Sequence, residues 1–119
     1  MVVVRNVFQL KFGKAREAVA LAKENVAIAS RHGIPPGRMR LLTDVVGRFY
    51  TLVLEITFNT LADFEGEGQV MNSDEWRRSY EKFVPLVESG YREVYQVVDV
   101  TPSTPQNVSD EAFAGATRG

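Results

Sequence analysis

The stretch from Phe49 to Phe58, FYTLVLEITF, alternates its side chains so regularly that it leaves few ways to fold. Extended, it sends Tyr50, Leu52, Leu54, Ile56 and Phe58 to one side and Phe49, Thr51, Val53, Glu55 and Thr57 to the other. A slip of one residue would exchange the two sides, so the apolar side has to face a core. The other side mixes apolar and charged groups, and the sheet therefore needs a second kind of cover there.

The rest of the chain supplies partners for that strand. Val2 to Lys11 is rich in β-branched and aromatic residues and reads as a strand. Lys14 to His32 carries Ala15, Ala18, Val19, Ala22, Val26 and Ala29 at helical spacing, a small-residue stripe suited to close packing on a sheet. Gly33 and Pro35-Pro36-Gly37 end it. Arg38 to Val45 and Arg48 to Phe58 predict two strands joined near Val46-Gly47. Thr60 with Asp63 opens a short helix that Gly66 and Gly68 weaken. Asn72 with Glu75 starts the next, with Trp76, Tyr80, Phe83, Val84 and Val87 on one face, Pro85 loosening its end and Gly90 closing it. Tyr91 to Val100 reads as the last strand.

The order strand, helix, strand, strand, helix pair, strand predicts an α+β fold of ferredoxin-like type over residues 1–100. Two right-handed crossover units interleave into a four-stranded antiparallel sheet with helices on one face. Residues 101–119, rich in Pro, Ser, Thr and Gly, read as a tail that is extended or lies on a partner. The bare face would carry Val7, Phe49, Val53, Tyr95 and Val97 among Arg5, Glu55 and Glu93, with Arg5 and Glu55 as a cross-strand pair. An apolar patch of that size marks an interface, and the last strand lies at an open edge. A homodimer closing a barrel is the expected assembly, with higher association left open.

Several chemistries are excluded. With no cysteine there is no disulfide framework, thiol nucleophile or thiolate zinc site, and one histidine, His32, rules out an all-histidine metal site in one chain. Neither a metal nor a cofactor is expected. A formal net charge of -1 without a run of Lys or Arg gives no reason to expect nucleic acid or an anionic membrane. The start, MVVVRNVFQL, is interrupted by Arg5 and Asn6 and does not read as a signal peptide, so a cytoplasmic location is the expectation.

From Asn59 on, Leu61-Ala62, Phe64, Asp74-Glu75-Trp76 and Pro85-Leu86-Val87 resemble the second half of a NIPSNAP-type domain, and Lys11-Phe12-Gly13-Lys14 agrees more loosely with its first half. The resemblance implies a dimeric α+β barrel, related in fold to antibiotic-biosynthesis monooxygenases and heme-degrading monooxygenases. Two departures bear on function. The family often carries an Arg seven residues before the glycine, where this chain has Asn6, and Arg5 is one step away on the opposite sheet face. Heme-degrading relatives use a first-strand Asn, a Trp and a later His; Asn6 and Trp76 match, but no histidine follows Trp76.

Three sets of residues are candidates for chemistry. Asn6, Tyr50, Trp76 and Tyr80 would meet between helices and sheet, where an amide among aromatic walls with polar tips suits a small-molecule pocket. The plainer reading is a core Asn satisfied by backbone. Arg5, Glu55, Glu93 and Tyr95 form the polar part of the dimer face, most simply as ion pairs that fix its register. His32 is the natural general base or acid, yet it stands at a helix end where an imidazolium is favoured anyway. Asn6, Tyr80 and His32 are thus the catalytic candidates. They point to a binder of an apolar, oxygenated molecule, or a cofactor-independent monooxygenase whose substrate anion is steadied by protein donors. The competing reading is a non-catalytic dimeric interaction module with an ordinary core, and an enclosed volume lined by Asn6 and Trp76 would discriminate the two.

Overall fold

A computed structural model describes residues 1–67 and 72–100. The expected tail at 101–119 lies outside the described residues, as does Gly68. Strand β1 (Val2–Leu10) turns Val2, Val4, Asn6, Phe8 and Leu10 toward the helices, where Val2, Val4 and Leu10 are buried. Helix α1 (Ala15–Arg31) follows, with Glu17 in its first turn and Arg31 in its last, both favourable to the helix dipole. His32 caps it, and Gly33 takes φ +108°, a backbone state glycine enters without a Cβ clash. A 3-10 turn, Pro36–Arg38, leads into β2 (Met39–Thr43) and then β3 (Thr51–Phe58).

β2 and β3 pair antiparallel as expected, but the chain between them is a loop rather than a tight turn at Val46-Gly47. The Asp44 carboxylate accepts from the Thr51 N–H at 2.7 Å, and the Thr51 hydroxyl donates to the Arg48 carbonyl at 2.9 Å. These bonds satisfy the backbone locally, and Tyr50 adopts φ +62° to make the bend. Both strands are therefore shorter than the sequence predicts.

Thr60 accepts from the Asp63 N–H and starts the short α2 (Leu61–Glu65). Helix α3 (Asp74–Phe83) is capped by Ser73 rather than Asn72, its hydroxyl accepting from the Trp76 N–H at 3.1 Å. α3 also stops earlier than expected. Pro85 has no N–H for a helical bond, so Val84–Leu86 tightens into a 3-10 turn, and β4 (Val87–Gln96) begins at once. Gly90, expected to close the helix, lies inside β4 opposite Phe8. A Cβ there would stand 3.0 Å from the Phe8 ring and 3.1 Å from the Val7 carbonyl, which explains glycine at a mid-strand position.

The sheet is four-stranded and antiparallel in the order β2-β3-β1-β4, the ferredoxin-like arrangement, and within one chain it stays open. Two apolar clusters pack under the helices. One gathers Val2, Val4, Ala29, Ile34, Met39, Ile56 and Phe58; the other gathers Leu10, Ala18, Ala22, Leu52, Phe83 and Leu86. Val4, Ile28 and Leu52 are the most completely buried side chains, and each contributes about 1.5–3 kcal/mol by leaving water.

On the opposite face, Arg40, Glu55, Arg5 and Glu93 stand in register across all four strands. The expected Arg5–Glu55 ion pair does not form. Glu55 accepts from Arg40 (Nε to Oε1, 3.0 Å), and Arg5 turns to Glu93 at 4.0 Å. The Glu93 carboxylate beside the Tyr95 hydroxyl raises the phenol pKa. Val7 and Val53 are already buried within the single chain; the exposed apolar groups here are Phe49, Tyr91, Tyr95 and Val97. No helix among the described residues is long and apolar enough to cross a membrane.

Candidate functional site

Between the inner face of the sheet and the packed helices α1 and α3 lies a cavity of about 500 Å³. Two causes combine. The α1 stripe is built of Ala22, Val26 and Ala29, too small to reach across, while α3 offers Trp76, Tyr80 and Phe83 at positions i, i+4 and i+7. Leu41, Leu52, Leu54, Ile56 and Phe8 make the sheet side of the wall. Phe83 holds Phe8 edge-on, with ring centroids 5.0 Å apart. Most of this lining is apolar, as small-molecule sites generally are.

Polar groups occupy one flank. Asn6 is 9% exposed and points inward from β1. Its neighbour across the β1–β4 ladder is Arg92, whose Nε donates to Asn6 Oδ1 at 2.7 Å. The guanidinium also lies 5.6 Å from the centre of the Phe64 ring. Glu67 lines the same flank; burial pushes its carboxyl pKa up, and the charge of Arg92 opposes that only in part. From α1 comes Asn25, 6% exposed, with an Oδ1 that is shut off from solvent and accepts no hydrogen bond. A buried amide oxygen left unpaired costs about 1–3 kcal/mol.

The structure thus brings Asn6, Trp76 and Tyr80 to one cavity and leaves two other sequence candidates out. Tyr50 packs against the second core cluster and meets Phe12 edge-on at 4.9 Å. Its departure is one of position along the sheet: Asn6 pairs with Leu54, whereas Tyr50 lies four residues away at the Leu10 end. His32 lies at the far end of α1, 3.6 Å from Glu75 Oε1, on a separate cavity of about 340 Å³. Arg31 holds the other oxygen of that carboxylate, and this bond above all keeps the Glu75 pKa low. His32 therefore ties α1 to α3 and does not face the main cavity.

Asn25, Glu67 and Arg92 are the site residues missing from the sequence reading. Two of them left a trace. Asn25 interrupts the α1 stripe at the spacing of Ala18, Ala22 and Ala29, and Arg92 must face inward once Glu93 faces outward. Glu67, in a turn between glycines, left none. Among the described residues no group of three or more His, Asp or Glu side chains could hold a metal ion.

No family model matches the sequence, and no curated protein does. Solved structures do match. A NIPSNAP family protein from Agrobacterium tumefaciens superposes with a TM-score of 0.73 at 18% identity, over 87% of this chain and 98% of its own. An uncharacterized NIPSNAP domain protein from Burkholderia xenovorans gives 0.71 at 15% identity, over 87% and 100%. A variant of SnoaB, a cofactor-independent oxygenase from Streptomyces nogalater, gives 0.64 at 15% identity, over 86% and 97%. The likeness is one of fold: the chain shares the four-stranded antiparallel α+β arrangement of these NIPSNAP and oxygenase structures.

Proposed function

We propose that this protein binds a small apolar, oxygenated molecule in the cavity between its helices and sheet. The observation that carries the reading is an empty volume of about 500 Å³ whose wall holds a buried amide, Asn25, with an unsatisfied oxygen. Ordinary core packing leaves few voids larger than a water molecule, and it pairs its buried polar atoms. Both rules are broken at one place. That favours a ligand site over the interaction module with a filled core.

Oxygenation without a cofactor is the chemistry this reading extends to. A substrate able to form a stabilised carbanion reduces oxygen itself: one CH₂ group and one O₂ become a carbonyl and water, with the substrate supplying all the electrons. Glu67, its pKa raised by burial, is the wall carboxylate suited to take the first proton. Asn6 and Tyr80 would supply hydrogen bonds to the resulting anion, and Trp76 would help to exclude water. The SnoaB fold likeness supports this by analogy alone.

The assembly we infer is a homodimer, in which a second copy covers the outer face around Phe49, Tyr95 and Val97. Those groups are 73%, 50% and 43% exposed in one chain. Sedimentation equilibrium should return twice the subunit mass.

Thermal-shift screening with quinones, polycyclic phenols and heme tests the binding reading, because a ligand of the native state raises its melting temperature. A quinone or phenol should raise it and alter the fluorescence of Trp76. No shift from any compound would overturn the reading.

A further inference from the structure

We infer that the occupant of this cavity is a carboxylic acid, held through its carboxylate by Arg92, an inference that rests on the cavity being a binding site. Two arginines line the wall, Arg77 and Arg92. Arg77 is engaged with Asp74 at 2.7 Å. Among the described residues Arg92 has one side-chain hydrogen bond, from its Nε to Asn6, and its two terminal nitrogens donate to none of them. A guanidinium carries its donors in a flat fork that matches a carboxylate with two parallel bonds. The bond to Asn6 fixes one edge of that fork and the Phe64 ring lies near it, so the free edge is set in advance.

The surroundings single out an anion with an apolar body. Arg5, Arg31, Arg40 and Arg77 each have a carboxylate within 4.0 Å, whereas Arg92 has none among the described residues. Glu67 shares the flank but forms no ion pair with it. The positive group therefore adjoins a cavity walled mainly by Leu, Ile, Val, Ala and aromatic side chains. A neutral occupant would cover the charge without compensating it, and a cationic one would be repelled. A monoanion with an apolar tail satisfies both parts of the wall.

The test uses 4-phenylbutyrate and its neutral amide, titrated into the whole protein. Trp76, the chain's only tryptophan, reports occupancy by its fluorescence. The acid should bind at least about tenfold more tightly than the amide, the amide should still bind, and Arg92→Gln should remove the preference while Arg92→Lys keeps part of it. Equal binding of acid and amide, or a preference that survives Arg92→Gln, would overturn the inference and leave the cavity a binding site. If neither compound alters Trp76, the binding-site reading falls with it. The comparison within the unaltered protein stands even where a variant fails to fold.

Discussion

Arg92 and Asn6 face one another across the β4–β1 ladder, and the 2.7 Å bond from Nε to Oδ1 joins the edge strand to its inner neighbour beneath the helices. It is a charge-assisted bond at a partly buried place. A double-mutant cycle with Asn6→Ala and Arg92→Ala, read by urea unfolding, should give a coupling of about 1 kcal/mol. A coupling of zero would mean that the pair sets no geometry in the cavity.

Asn25 should answer substitution in two opposite ways. Its oxygen is buried and unpaired, so Asn25→Leu removes a desolvation cost and should stabilise the ligand-free protein by about 1 kcal/mol. Ligand binding should weaken in the same variant, because the branched Leu side chain reshapes a wall that Asn25 helps to form. Thermal melts with and without ligand measure both effects. A variant that is less stable and binds unchanged would show that Asn25 is ordinary core.

How far the sequence could reveal this site depends on what each residue's signal consisted of. The inward set of β1 and β3 was legible, because period-2 alternation names a face without knowledge of the partner. Asn6, Trp76 and Tyr80 followed from it and from helical spacing. Tyr50 did not, since it shares the inner side but sits at the Leu10 end of the sheet, four residues from Leu54, the partner of Asn6. The Arg5–Glu55 pair failed for a related reason. The register does set them side by side, but Glu55 also has Arg40 beside it, and the sequence does not say which neighbour a carboxylate will choose. The cavity itself is a matter of unfilled volume, which no spacing rule reports.

The raised pKa of Glu67 carries a pH signature. The folded carboxyl holds its proton to higher pH than the unfolded one, whose value is 4.5. Stability therefore falls as pH rises from 4.5 through the folded value and stays at the lower level beyond it. Glu67→Gln lacks this loss. Its melting temperature should track that of the parent in acid and exceed it at neutral pH, with the gap opening above pH 4.5. A gap that is constant with pH would place Glu67 in solvent.

The outer face makes a prediction about assembly. Tyr95 is half exposed and stands beside Glu93, next to the row Arg40, Glu55, Arg5 and Glu93. A carboxylate placed there would add a second negative charge beside Glu93 and be buried when a second copy covers the face. Tyr95→Asp should therefore weaken the dimer by about tenfold or more while leaving the single chain folded. Light scattering over a dilution series reads it, and an unchanged dimer would mean that a different surface is used.

Gly90 links the strand edge to the cavity. A methyl group added there meets the Val7 carbonyl at 3.1 Å and Phe8 Cδ1 at 3.0 Å. The carbonyl belongs to a sheet ladder and yields little, so the ring has to move. Phe8 lines the cavity and packs edge-on against Phe83, which leaves it no free direction except into the open volume. Gly90→Ala should therefore cost about 1–3 kcal/mol of stability, as overpacking does, and narrow the site so that ligand affinity falls. In a Phe8→Ala background the ring is gone and only the carbonyl contact remains. The cost of the added methyl should shrink there without vanishing, a non-additivity expected of residues in contact. If the penalty is the same in both backgrounds, the glycine is required by the backbone alone and Phe8 is not its reason.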